Sequence, residues 1–316
     1  MENVSNKTLQ KPWVVCILAV FCCTLWGSAF PCIKIGYRLF EIPADAAGSQ
    51  ILFAGLRFTL AGILTVLMGS AAVRKPLIPG KSAFPKILVL AMVQTVLQYL
   101  FFYMGLAHAS GVKSAIIVGT NSLLSILIAS LIFRQEKLTG WKLTGCLLGL
   151  FGVITANLSG SMDFSFQFNG EGFIFISACS YAFSSVLIKK FSRDENPVLL
   201  SGWQFAAGGV ILMAAGFLMG GHVGAFTPPA AVVLFYLAFL SAAAYTIWSI
   251  LLKYNPVSRV AIYGFMNPVV GVLLSAILLG EGGQAFSLRN LAALLLVCAG
   301  IWVVNHFPKP EKSAIL

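Results

Sequence analysis

Charge is what this 316-residue chain has least of: 10% of its residues are Asp, Glu, Lys or Arg, against about 25% in an ordinary soluble domain. With 59% hydrophobic residues, such a chain cannot clothe a water-facing surface, which excludes a soluble globular fold. Acid is scarcer than base, ten Asp and Glu against 21 Lys and Arg. No acid falls near the middle of an apolar run: Asp45 and Asp163 read as loop residues, Glu136 and Glu281 as helix ends. A proton relay inside a bilayer normally uses such a group, so passive or weakly coupled movement of solute is the first reading of the energetics. The three histidines, His108, His222 and His306, are far apart, and HExxH, GxSxG and GxxxxGK[ST] are all absent. Their absence removes a zinc hydrolase, a serine nucleophile elbow and a self-contained nucleotide-driven pump. No metal, no cofactor and no catalysis is expected. Seven cysteines (Cys16, Cys22, Cys23, Cys32, Cys146, Cys179, Cys298) lie in apolar runs without CxxC spacing. They read as small buried hydrophobes, with no disulfide or zinc framework.

Long apolar runs are what the chain has in abundance. Ten of them, roughly 13–33, 50–71, 85–107, 113–133, 141–157, 171–191, 199–220, 231–252, 258–279 and 288–306, approach the length of about 20 residues that crosses a bilayer core. The breaks between them carry Pro, Gly and charge, and none is long enough for a second domain. The first run follows Lys7 and Lys11 like a signal peptide, but it is too long and lacks a small-residue cleavage site, so it reads as an uncleaved span.

The basic residues orient these spans. With the N-terminus inside, the cytoplasmic segments hold Lys7, Lys11, Arg74, Lys75, Lys81, Lys86, Arg134, Lys137, Lys142, Lys189, Lys190, Arg193, Lys253, Arg259, Lys309 and Lys312, sixteen of the 21. The positive-inside rule therefore puts both termini in the cytoplasm. The net charge of +11 is then a topology signal, and no nucleic acid is expected as a partner.

The chain also repeats itself. The stretch from Phe101 to Asn157 returns near the C-terminus, where Asn267 stands for Asn121, Glu281 for Glu136 and Asn305 for Asn157. Earlier, Trp26 to Lys34 aligns with Tyr181 to Lys189, and Leu56-Arg57-Phe58 with Ala61-Gly62 aligns with Trp203-Gln204-Phe205 and Gly208-Gly209. A period of half the chain is the signature of duplicated transporter units. Five spans per unit is an odd number, so the second unit enters the membrane upside down. The predicted fold is all-α integral membrane, ten transmembrane helices as two inverted five-helix repeats, residues 1–157 and 158–316, together one membrane domain.

On the Trp26 to Lys34 motif, Arg57-Phe58-Thr59-Leu60-Ala61-Gly62, the Ala-rich turn into the fourth span, and Glu136 and Glu281 closing the fourth and ninth spans, the chain resembles the drug/metabolite transporter superfamily, in particular its EamA-type ten-span exporters. The resemblance covers nearly the whole sequence. It implies export, a central path lined by the first, third, fourth, sixth, eighth and ninth spans, and substrates anywhere among amino acids, aromatic compounds, purines, cations and nucleotide-conjugated sugars.

Polar groups at membrane depth are costly unless satisfied, so each is a candidate. Gln94 and Gln98 are four apart on one helical face, with Tyr99 and Tyr103 alongside. Ser114, Asn121 and Ser125 share a face of the fourth span, with Asn267 as the repeat counterpart. The eighth span presents Tyr245, Trp248 and Ser249, the sixth Ser177, Tyr181 and Ser184. The expected substrate cavity is Trp26, Gln94, Gln98, Tyr103, Asn121, Ser125, Tyr181, Tyr245, Trp248 and Asn267. Aromatic walls would suit amphipathic or cationic substrates. The competing reading of each Asn, Gln or Ser is interhelical glue. Gly145, Gly149 and Gly152 read as a packing seam, while Lys34 and Arg57 read as side chains snorkelling to the headgroups, with contact to a substrate anion as the alternative. Pro31 and Pro268 interrupt apolar spans and free the carbonyls of Gly27 and Gly264, which makes them expected hinges. The function expected is export of small amphipathic metabolites, with amino acids and aromatic or cationic compounds leading, across the inner (cytoplasmic) membrane by alternating access; the alternatives are a flippase or transporter for a lipid-linked substrate and a channel-like facilitator. The expected partners are a small-molecule substrate and the lipid bilayer, with a homodimer left open.

Overall fold

The computed structural model describes residues 7–43, 45–106, 108–109, 111–157, 166–278 and 288–307. All regular structure among them is helical. In chain order the segments are α1 (Pro12–Leu39), α2 (Ala47–Val73), α3 (Ala83–Leu106), α4 (Gly111–Gly119 and Asn121–Leu127, closing in the π turn Ile128–Ile132) and α5 (Gly140–Asn157). They continue as α6 (Phe168–Phe191), α7 (Pro197–Leu218), α8 (Pro228–Tyr254), α9 (Val257–Ala261, the 3-10 turn Ile262–Phe265, and Met266–Leu278) and α10 (Leu288–His306). Asp163, Glu281, Lys309 and Lys312 lie outside the described residues.

Eight of these segments, α1 to α4, α6 to α8 and α10, are long and apolar enough to cross a membrane; α5 is a shorter apolar helix, and α9 changes its winding at Ile262–Phe265. The chain is a multi-pass, all-helical membrane protein. Its outer faces carry large apolar side chains such as Phe21, Leu67, Phe151, Phe217, Phe235 and Leu295, and the backbone closes its hydrogen bonds within helices, as lipid requires. Local chemistry sets several boundaries. The Asn196 side chain accepts the Val198 amide ahead of α7, the Thr227 hydroxyl accepts the Ala230 amide ahead of α8, and Pro197 and Pro228 follow directly where a missing N–H costs nothing. Beyond α7, Gly220 takes φ +76°, a left-handed turn that glycine adopts without a Cβ clash.

The helix pairing has a regular pattern. The most extensive contact joins α2 to α7, the next α5 to α10; α1 packs on α8 and α9, as α6 packs on α3 and α4. Adding five to each label, with ten wrapping to zero, maps this set of contacts onto itself. Glycines let the self-paired helices touch backbone to backbone: a Cβ at Gly55 would come within 2.5 Å of the Met213 amide nitrogen, and one at Gly216 within 2.5 Å of that of Leu52. The Gly145–Gly149–Gly152 seam meets α10 and the α9 turn in the same way, Gly145 against the Gly300 carbonyl and Gly149 against the Phe265 ring.

Candidate substrate cavity

Between α1, α3, α4, α6, α8 and α9 lies a cavity of about 140 Å³. Helix α1 contributes Trp26, Ala29 and Ile33; α3 contributes Gln98, Tyr99, Phe102 and Tyr103; α4 contributes Val118, Asn121 and Ser122. From the second half come Ser177, Ala178 and Tyr181 of α6, Tyr245 of α8, and Gly264, Asn267 and Pro268 of α9; α2 adds Arg57 alone. Trp26, Gln98, Tyr103, Asn121, Tyr181, Tyr245 and Asn267 of the expected set therefore come together on one wall.

Aromatic stacking shapes that wall. Trp26 meets Tyr245 edge-on at 5.0 Å between ring centroids, the Tyr245 hydroxyl lies 2.8 Å from that of Tyr99, and Tyr99 packs against Tyr103 at 6.3 Å and Phe58 at 4.3 Å. Such contacts hold rings in fixed orientations. The amide groups are the opposite case. Oε1 of Gln98, Oδ1 of Asn121, Oδ1 of Asn267 and Nε1 of Trp26 are buried without a hydrogen-bond partner. Four orphaned polar atoms on one small cavity are costly in a resting protein, at about 1–3 kcal/mol each, and are the groups a polar ligand would satisfy.

Three expected cavity residues lie off the wall. Gln94 turns toward α7, where its Oε1 accepts the Gln204 amide at 3.1 Å while the Thr95 hydroxyl donates to Gln204 Oε1 at 2.7 Å. The reason is a π-helical segment over Ala91–Leu97, whose wider winding breaks the α-helical spacing that would have kept Gln94 and Gln98 on one face. Ser125 is fully buried and spends its hydroxyl on the Asn121 carbonyl one turn back, 2.7 Å away. Trp248 stands behind Trp26, 5.0 Å between centroids, and braces it. Pro268 lines the cavity one turn after the 3-10 segment that contains Gly264, whereas α1 runs as one continuous helix through Pro31. At both freed carbonyls the helices approach closely: a Cβ on Gly27 would reach within 2.7 Å of Val270 Cγ1, and one on Gly264 within 2.7 Å of Ser122 Oγ.

Arg57 corrects the sequence reading most. Its side chain is 3% exposed, so it does not snorkel. Nε and Nη2 donate to the Ser241 hydroxyl at 3.0 and 2.8 Å, Nε also points at the Leu237 carbonyl at 3.3 Å, and the guanidinium sits 5.0 Å from the centre of the Phe58 ring. Lys34, by contrast, is exposed. Glu136 was expected only as a helix end, and the structure gives it partners: its carboxylate accepts the Ser258 amide at 2.9 Å, the Ser258 hydroxyl at 2.5 Å and Lys142 Nζ at 3.0 Å. It therefore ties the end of α4 to the starts of α5 and α9. At the same end Lys189 donates to the carbonyls of Leu252, at 2.9 Å, and Asn255, and the Asn255 amide reaches the Leu9 carbonyl at 3.0 Å.

A scan against family models matches the EamA-like transporter family twice, over residues 13–158 and 168–306. The chain belongs to that family. Among its relatives, the transporter YvbV of Bacillus subtilis is 28% identical over 98% of this chain and 97% of its own length, and the inner membrane transporter YedA of Escherichia coli K12 is 28% identical over 89% and 87%. A plant relative, the WAT1-related chloroplastic protein At3g02690 of Arabidopsis thaliana, is 24% identical over 94% of this chain and 70% of its own. The two bacterial relatives are described as uncharacterized transporters. A solved crystal structure superposes with a TM-score of 0.77 at 18% identity, covering 95% of this chain and 98% of the other, which is a likeness of fold. As an EamA family member the protein is a membrane transporter.

Proposed function

We propose that the protein is a secondary transporter that exports small amphipathic metabolites across the inner (cytoplasmic) membrane by alternating access, with Trp26, Gln98, Tyr103, Asn121, Tyr181, Tyr245 and Asn267 as the substrate-facing set. The observation that carries this reading is the cavity itself: it is enclosed by helices from both halves, walled by aromatic rings and fitted with unpartnered amide oxygens. The two separate family-model matches and the contact pattern that maps onto itself support ten spans arranged as two inverted repeats, 1–157 and 158–316. Both termini face the cytoplasm in this reading, because the basic residues concentrate on that side.

Alternating access needs one end of the path closed while the other opens. The Glu136–Ser258–Lys142 cluster and the Lys189 contacts form the cytoplasmic closure, and the 3-10 turn before Pro268 is the place where α9 bends. Transport of a labelled panel, amino acids and aromatic amines included, from proteoliposomes with and without a pH gradient tests the proposal. Saturable, substrate-specific efflux is the expected result, and its indifference to the gradient would follow from the absence of an acid at mid-span. A panel that stays trapped in well-folded preparations would favour a lipid-linked substrate instead.

A further inference from the structure

Resting on the transporter reading, one feature of the cavity goes further and bears on the substrate's charge. Arg57 is a permanently charged guanidinium that is 3% exposed and on the cavity wall, and among the described residues no carboxylate lies within ion-pair distance of it. A buried cation without an anion is among the most expensive arrangements a protein can hold. Ser241 supplies a neutral oxygen to Nε and Nη2 and the Leu237 carbonyl a second, weaker one to Nε, and Nη1 has no hydrogen-bond partner among the described residues. The guanidinium thus keeps unspent donors beside an aromatic cavity with no acidic side chain in its lining.

The other orphaned groups complement it. Asn121 and Asn267 sit at matched positions of the two halves and bring unpartnered oxygens to the same cavity, as does Gln98. These acceptors call for donors on the ligand, while the arginine calls for an anion, and a planar carboxylate fits the guanidinium fork bidentately. We infer that the cavity takes small organic carboxylates, the carboxylate pairing with Arg57 in place of Ser241, the apolar body lying against the rings around Trp26 and Tyr245, and the ligand's own donors satisfying Asn121 and Asn267. Arg57 is then the specificity-determining residue of the site, and compounds whose only charge is positive are rejected by its field, since a second cation would meet no anion there.

Three probes that share one phenyl-ethyl body separate the charges: phenylalanine, 3-phenylpropionate and phenethylamine. Their binding to the purified protein is read from the shift in thermal unfolding, alongside flux in proteoliposomes. Both carboxylates should stabilise the protein and phenethylamine should not; Arg57→Gln should weaken carboxylate binding by roughly tenfold to a hundredfold, and Arg57→Lys should recover part of it. Recovery by lysine shows that the loss in Arg57→Gln is not misfolding, and a single symmetrical gel-filtration peak checks the same point. Carboxylates that fail to bind, phenethylamine that binds as well as phenylalanine, or an Arg57→Gln protein with unchanged carboxylate affinity would each overturn the assignment. Saturable phenethylamine flux indifferent to Arg57→Gln would overturn it while leaving transport standing; Arg57-dependent carboxylate binding without any flux would leave it standing and overturn transport.

Discussion

Gln94 and Gln98 show how differently two like residues can be used. Gln98 lines the cavity and its Oε1 is buried without a partner, whereas Gln94 is locked into a buried chain with Gln204 and Thr95. Replacing Gln94 with Leu leaves the Gln204 amide without its acceptor, so Gln94→Leu should cost about 1–3 kcal/mol of stability, seen as a lower unfolding temperature, while transport per folded molecule persists. Gln98→Leu and Asn121→Leu should behave the opposite way, with folded protein in the membrane and transport reduced; full activity in both would remove them from the path. The sequence could not separate the two glutamines, because four-residue spacing means one face only on an α-helix, and the π-helical stretch over Ala91–Leu97 has no composition that announces it. Arg57 was misjudged for a related reason. Its distance from the span end allowed snorkelling, and the hydroxyl that holds it belongs to Ser241, 184 positions away.

At the scale of helices, sequence was a better guide. The apolar runs locate the helices to within a few residues, and the glycines of α5 were legible as a packing seam because close approach is what glycine supplies. The glycines of α2 and α7 do the same work on a larger contact, yet Gly62 could be matched only as the repeat partner of a position in α7, not as its neighbour in space. Less legible was the cluster at Glu136, whose partners come from two other helices, α5 and α9. Glu136→Ala would leave the Ser258 amide without its acceptor and Lys142 with the Lys137 carbonyl alone, loosening the start of α9. Faster amide hydrogen exchange across Val257–Ala261 is the expected outcome, with the cavity residues folded as before. Exchange unchanged from the parent protein would mean that Glu136 does not hold that end closed.

For the molecule as a whole, the proposed alternating access requires that the cavity between the two halves open to one side at a time. Such a carrier, unlike a channel, must return through its cycle, and a substrate waiting on the far side speeds that return. Counterflow tests this most directly. Proteoliposomes loaded with unlabelled phenylalanine are diluted into a trace of the labelled compound with no ion gradient present. The account predicts transient accumulation of label above its outside concentration, lost in Asn121→Leu. Label that only equilibrates, without overshoot, in protein shown to conduct the same compound would contradict alternating access and leave a channel-like facilitator.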